Sequence, residues 1–189
     1  TFAAAVAVDD EGLSVTADEI DFNGGANSVS GNNAGALLLQ PQTASAAIGV
    51  GGGAGTLDLS TTDVDALADG FTEITIGRSA DGTGDVDIDA SSFNDKLNVF
   101  GAAISVTALD ATGSDVNLTA RTGSITDGEA GTATDITAAN LTLTANTTGQ
   151  TVGTAANPLE LTLSGTVTAS VNVGTGGVFL TESNPMTIS

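Results

Sequence analysis

Apolar and polar residues alternate in short runs along most of the chain. The clearest run, Leu141-Thr142-Leu143-Thr144, returns about twenty residues later as Leu161-Thr162-Leu163-Ser164. Alternation of period two is the mark of a strand with one buried face. Between the two copies lies a stretch rich in Asn, Gly and Pro, where a strand must end. Applied to the whole chain, this pattern predicts strands at 13–22, 27–30, 36–39, 46–50, 56–59, 73–77, 85–90, 97–100, 104–109, 116–120 and 124–126. The last third adds 135–137, 141–144, 159–163, 167–173 and 178–181, and both ends read as strand, at 1–8 and 185–189. Nearly every gap holds Gly, Asn or Asp.

One segment breaks the pattern. Val64, Leu67, Ala68 and Phe71 recur at i, i+3, i+4 and i+7, an apolar helical face. The spacing predicts a short helix over 62–70, capped by Thr62 with Asp65 three residues on and stopped at Gly70. Such a helix is expected to replace one side of a coil; the alternative is a lid or binding ridge.

The strand centres fall on two interleaved series. One runs Ile20, Leu38, Leu57, Ile76, Leu97, Val116, Ile136. The other runs Val29, Ile48, Leu67, Val86, Val106, Ile125, Leu143, Leu163. A recurrence near twenty residues, with two or three short strands in each, is the size of one rung of a solenoid. A single rung cannot bury its apolar side, and stacking buries a continuous core. The expected fold is therefore all-β, a right-handed parallel β-helix of about 20 residues per rung over 1–189, with a rod on the order of 40 to 45 Å long at strand spacings of about 4.8 Å. An antiparallel β-sandwich is the competing arrangement.

Composition supports a thin, layered interior. Hydrophobic residues make up 40% of the 189, yet there are six Phe and no Trp or Tyr. Asp and Glu total 23 against three basic residues, Arg78, Lys96 and Arg121, for a net charge of −20. That charge repels nucleic acid and anionic membranes and attracts cations. The absence of Cys and His removes disulfides, thiol nucleophiles and the usual zinc ligands. No stretch has the apolar length of a membrane span. With strands expected at both ends, the chain reads as a piece of a longer array.

Several stretches resemble the repeats of filamentous-haemagglutinin-like exoproteins, the giant surface adhesins of Gram-negative bacteria and cyanobacteria. They are Gly123-Ser124-Ile125-Thr126-Asp127, the run from Ile136 through Ala139-Asn140 to Thr144, Gly153-Thr154-Ala155-Ala156-Asn157-Pro158-Leu159 and Gly177-Val178-Phe179-Leu180-Thr181-Glu182. Gly52 to Leu57, and Ala66 to Phe71 continuing to Ile74-Thr75-Ile76-Gly77, are similar to such segments too. The resemblance implies a secreted or surface-anchored protein that acts as a rigid stalk and multivalent contact surface. Its implied partners are cell-surface or matrix glycans or proteins, and end-to-end self-association, as in a filament or sheath subunit, is the alternative.

The sharpest polar feature is Asp81-Gly82-Thr83-Gly84-Asp85-Val86-Asp87-Ile88-Asp89. With Val86 and Ile88 inward, Asp85, Asp87 and Asp89 line an outer face. With Asp81, they form a candidate calcium site, because a hard cation relieves carboxylate repulsion through oxygen ligation. The stretch is similar to the Gly-rich calcium nonapeptides of RTX proteins but departs from them at Val86. Asp9-Asp10-Glu11 is a surface turn. Thr142, Thr144, Thr162 and Ser164 are candidates for a hydroxyl ladder on one face. No enzyme is expected: there is no His to activate a nucleophile and no aromatic platform for sugar. A carbohydrate-active solenoid would need a carboxylate pair facing one groove.

Overall fold

The computed structural model describes residues 1–172 and 174–184, and the backbone of 187–188. The predicted strands at 167–173 and 185–189 thus lie partly outside the described residues. The chain winds as a parallel β-helix with three facets, and every strand pair is parallel.

The first facet is an eight-stranded sheet. In spatial order it holds β2 (Leu13–Thr16), β4 (Leu37–Gln40), β7 (Ile74–Ile76), β10 (Leu97–Gly101), β13 (Val116–Ala120), β16 (Leu141–Ala145), β18 (Thr166–Val171) and β20 (Thr187–Ile188). The second has five strands, β6 (Leu57–Leu59), β5 (Ile48–Val50), β8 (Val86–Ile88), β11 (Ile104–Val106) and β14 (Ile125–Asp127), extended by single bridges at Val152 and Val178. The third has β9 (Ser91–Ser92), β12 (Leu109–Ala111), β15 (Ile136–Ala138), β17 (Leu159–Leu163) and β19 (Leu180–Glu182). A small pair, β1 (Val6–Ala7) with β3 (Val29–Ser30), closes the amino-terminal end.

The core follows from parity. In β13, Val116, Leu118 and Ala120 are wholly buried while Asn117 and Thr119 between them are partly exposed. The same inward parity places Val99 below Leu118 and Leu143 above it. Inward side chains from all three facets join one continuous aliphatic cluster. No turn could bury these residues alone, so burial itself is what stacks the turns.

The turns are longer and less uniform than twenty residues. Neighbouring positions on the first facet are separated by 19 residues at Asn98 and Asn117, 25 at Asp115 and Asn140, and 26 at Asn140 and Thr166. One turn is far longer, with Gly35 and Thr72 in contact 37 residues apart. There the chain leaves β5, folds through 51–56 and lays β6 beside it. The loop lies flat over the outer side of β5, and a Cβ at Gly49 would collide with the Gly53 carbonyl. Only glycine fits where two backbones approach so closely.

The two series of strand centres therefore match the stacking only in places and are mixed in facet. Leu97–Val116, Ile48–Val86 and Val29–Leu67 are direct partners. Ile125, however, stands over Ile104 rather than Val106, and Ile136 belongs to the third facet. The repeated Leu-Thr phrase does not stack on itself: its copies are β16 and β17, on different facets. The predicted strand at 104–109 is two strands, β11 and β12, separated by a corner at Thr107 and Ala108.

The helix α1 spans Thr61–Asp65, shorter and earlier than 62–70. Ser60, not Thr62, caps it: its hydroxyl accepts from the Asp63 N–H while the Asp63 carboxylate accepts from Ser60 N–H. This reciprocal pair fixes the start two residues before the predicted capping box. Asp63 also accepts from the Phe22 N–H at 2.6 Å, tying α1 to the preceding turn. Leu67 has left the helix and bridges Val29. With β9 against its other side, α1 stands in for one strand at the end of the third facet.

Candidate functional site

The four acidic residues singled out at 81–89 do not gather into one site. Asp85 is exposed, and Asp87 and Asp89 are partly exposed at alternate positions, which places them outward. Three of the four carboxylates have a partner of their own. Asp81 takes two hydrogen bonds from the Arg78 guanidinium, at 2.7 and 2.8 Å, and this contact holds its carboxyl below the usual carboxylate range. Asp85 accepts from the Ala103 N–H, and Asp87 from the Ala54 N–H of the glycine-rich loop. Asp10 likewise accepts from Asn32 across the neighbouring turn.

A different set of carboxylates converges. Asp127, Glu129 and Asp135 each offer an oxygen within 4.8 Å of the other two, and no other set of three or more among the described residues does so. They sit where the chain passes from the second facet to the third. Asp127 ends β14 in register with Val106, so a carboxylate occupies a row that is aliphatic in the turns below, at Val106, Ile88 and Val50. Glu129 follows in the loop, its N–H bonded to Asp127 at 2.7 Å. A Cβ at Gly131 would press on the Glu129 carboxylate, so glycine there leaves it room to fold back over the loop.

Asp135 immediately precedes β15 and is fully buried. One of its oxygens accepts from the Glu160 N–H at 2.8 Å. Burial pushes its carboxyl up to about 8; that N–H opposes the rise, and the charges of Asp127 and Glu160 add to it. Glu160, beside it in β17, is itself buried. Asp127, Glu129, Asp135 and Glu160 each keep one buried oxygen with no hydrogen-bond partner among the described residues. Buried polar atoms are nearly always satisfied, so four orphans in one corner demand a cause.

Outside this corner runs a furrow along the third facet. Its first part, about 440 Å³, lies between α1 and the outward residues of β9, β12 and β15; its second, about 370 Å³, lies over β17. Thr134 borders both. Ser92, Asp110, Thr137 and Thr162 form an outward column of small polar side chains on this facet. On the first facet the matching column is Thr75, Asn98, Asn117, Thr142 and Thr168. The Asn117 amide donates to Asn98 at 2.8 Å, and that of Asn98 to Glu73 at 3.1 Å. Thr142 and Thr162 are thus on different facets, so these candidates do not form a single hydroxyl ladder.

The three basic residues are all engaged. Besides Arg78, Lys96 pairs with Glu73 at 3.1 Å, and Arg121 donates to the carbonyls of Ser79 and Ala80. None neutralises the corner at Asp135. No helix among the described residues is long and apolar enough to cross a membrane. No protein-family model, curated protein or solved structure matches the chain.

The converging trio was legible only in part. Asp127-Gly128-Glu129 and Asp135 are visible as acidic residues, but eight positions of loop hide that their ends meet. The usable signal was Asp127 at a position where the strand alternation of 125–127 calls for an aliphatic residue.

Proposed function

We propose that this chain is a non-catalytic, rigid segment of a large secreted or surface-anchored bacterial protein, of the filamentous-haemagglutinin-like kind, that presents a contact face to glycans or proteins. One observation carries the reading: the third facet bears two adjoining hollows, both bordered by Thr134, and a column of outward Thr, Ser and Asp side chains on a stiff stacked frame. Repeated small polar side chains at a fixed spacing suit weak contacts that add along the rod. Hydroxyls and carboxylates are the groups that meet sugar hydroxyls by hydrogen bonding.

A carbohydrate-active enzyme is the less favoured reading: Asp65 and Asp110 both border the first part of the furrow, but no aromatic platform for sugar borders it with them, and Asp135 with Glu160 makes no such pair. Glu160 borders the second part of the furrow, but Asp135, its partner, is fully buried and does not line it. Two carboxylates flanking a scissile bond must both reach the substrate.

The test is binding of the purified segment to a glycan panel and to bacterial cells. Saturable binding is expected, weakened at least several-fold by Thr137→Arg with Thr162→Arg, which leave the core untouched. A folded protein that binds nothing sinks the contact-face reading. Concentration-dependent elongation seen by light scattering would then favour end-to-end assembly through unpaired terminal strands.

A further inference from the structure

We propose that Asp127, Glu129 and Asp135 bind one calcium ion, which fastens the 128–135 loop to the corner between the second and third facets. The inference goes beyond the contact-face reading and stands apart from it. It rests on two independent observations. The first is convergence: three oxygens within 4.8 Å of one another lie at about twice a calcium–oxygen bond, so a single ion can touch all three.

The second is the condition of the oxygens themselves. Asp135 is 0% exposed, and its Oδ1 has no hydrogen-bond partner among the described residues. Asp127 Oδ2 and Glu129 Oε1 are in the same state. Three ionised carboxylates in one largely buried corner call for a positive charge, and Arg78, Lys96 and Arg121 are all bonded elsewhere.

The donor set chooses the metal. An all-oxygen set with no imidazole or thiolate selects a hard cation. Three carboxylates on an irregular loop suit the flexible coordination of calcium better than the strict octahedron of magnesium. Glu160, behind Asp135, supplies further negative charge, and the neighbouring cleft bordered by Gly131, Thr132 and Thr134 admits water to complete the shell. The site expected at Asp81, Asp85, Asp87 and Asp89 lacks this combination, since no three of these carboxylates converge and none keeps a buried oxygen without a partner.

The experiment is calorimetric titration of calcium chloride into chelator-stripped protein at about pH 7.5. One saturable site per chain is expected, with a dissociation constant of about 10⁻⁴–10⁻³ M, the range of extracellular modules. Magnesium should bind at least tenfold more weakly. Asp135→Asn and Glu129→Gln should each weaken calcium at least tenfold, whereas Asp87→Asn should leave it unchanged. Europium luminescence lifetime on the unmutated protein is a second readout, expected to show fewer bound waters than the free ion. No saturable calcium binding by folded protein overturns the proposal and leaves the corner neutralised by protons. Binding that survives Asp135→Asn with Glu129→Gln, or is lost with Asp87→Asn, overturns it in favour of another cluster.

Discussion

Leu118→Ala tests whether the stacked core is what holds the coil. Leu118 is wholly buried in β13, with Val99 and Leu143 in register on either side. Removing its outer carbons forfeits roughly 2–2.5 kcal/mol of transfer free energy, at about 0.8 kcal/mol for each carbon. A cavity term adds to that, because the flanking strands are held at their spacing by backbone hydrogen bonds and cannot close the gap. The total should be about 3–5 kcal/mol, the range for a buried Leu→Ala with little collapse. For a chain of this size that is a fall in Tm of roughly 6–20 °C. The chain has no Trp or Tyr, so urea unfolding is best followed by far-ultraviolet circular dichroism. Thr119→Ala, next in the same strand but outward, should change stability by no more than about 0.5 kcal/mol. A Leu118→Ala loss below about 1 kcal/mol would refute the reasoning, since it would mean that the inner row is loosely packed.

Asp63→Ala removes the capping partner of Ser60 and the acceptor of the Phe22 N–H together, and should cost about 2–3 kcal/mol in urea denaturation, against about 1 kcal/mol for Ser60→Ala. Gly49→Ala drives a methyl into the Gly53 carbonyl and should cost about 1–3 kcal/mol, with amide exchange accelerated over 49–57 if the flat loop lifts. In chelator, stability should rise as pH falls through the acid range toward the ordinary carboxylate value of 3.8. Burial raises the Asp95 carboxyl, with Asp69 adding and the N–H groups of Phe71 and Gly70 opposing, so between that raised value and the unfolded 3.8 the folded state holds more protons. Relief of the −20 net charge acts in the same sense, whereas Asp18, Glu73 and Asp81 are lowered, and their contributions fade only as pH falls below the ordinary values of 3.8 for Asp and 4.5 for Glu. A urea midpoint that falls steadily across the same acid range would contradict this.

The fold was readable because inward parity is simple: alternating Val, Leu and Ile mark every long strand, and their recurrence near twenty marks a coil. What could not be read was which facet each strand joins. Leu141 to Thr144 and Leu161 to Ser164 look alike because both are half-buried strands, and parity says nothing about the corners between them. The corner at Thr107 and Ala108 left a mark that the single predicted strand overlooks: inward positions shift from Ile104 and Val106 to Leu109 and Ala111, so the parity changes there. The helix was found by its apolar face but misplaced, because Leu67 fits a helical spacing and a strand register equally well and the bridge to Val29 won. The acidic corner needed the third dimension. Asp81 to Asp89 drew notice by local density, but in a coil, density along the chain spreads carboxylates down one face, whereas residues eight apart across a corner can meet.

A parallel coil divides its residues by parity, and this decides where function can reside. Inward positions are committed to the aliphatic rows that hold the turns together. Outward positions such as Thr137, Thr162, Asn98 and Asn117 are nearly free of that demand, so a contact face can be written there without loss of stability. Asp127, Asp135 and Glu160 obey neither rule. They are carboxyl groups in an aliphatic row or under a covering loop, where ionisation costs several kcal/mol each in desolvation. The fold gains nothing from them as bare carboxylates, since Val106 fills the row beneath Asp127 perfectly well. Local violations of a pattern otherwise kept throughout the chain are expected where something besides folding is required. Here the requirement is a positive charge from outside the chain, and its effect would be to lock the one loop that borders both parts of the furrow through Thr134. The ion would thus set the shape of the contact face without touching anything bound there.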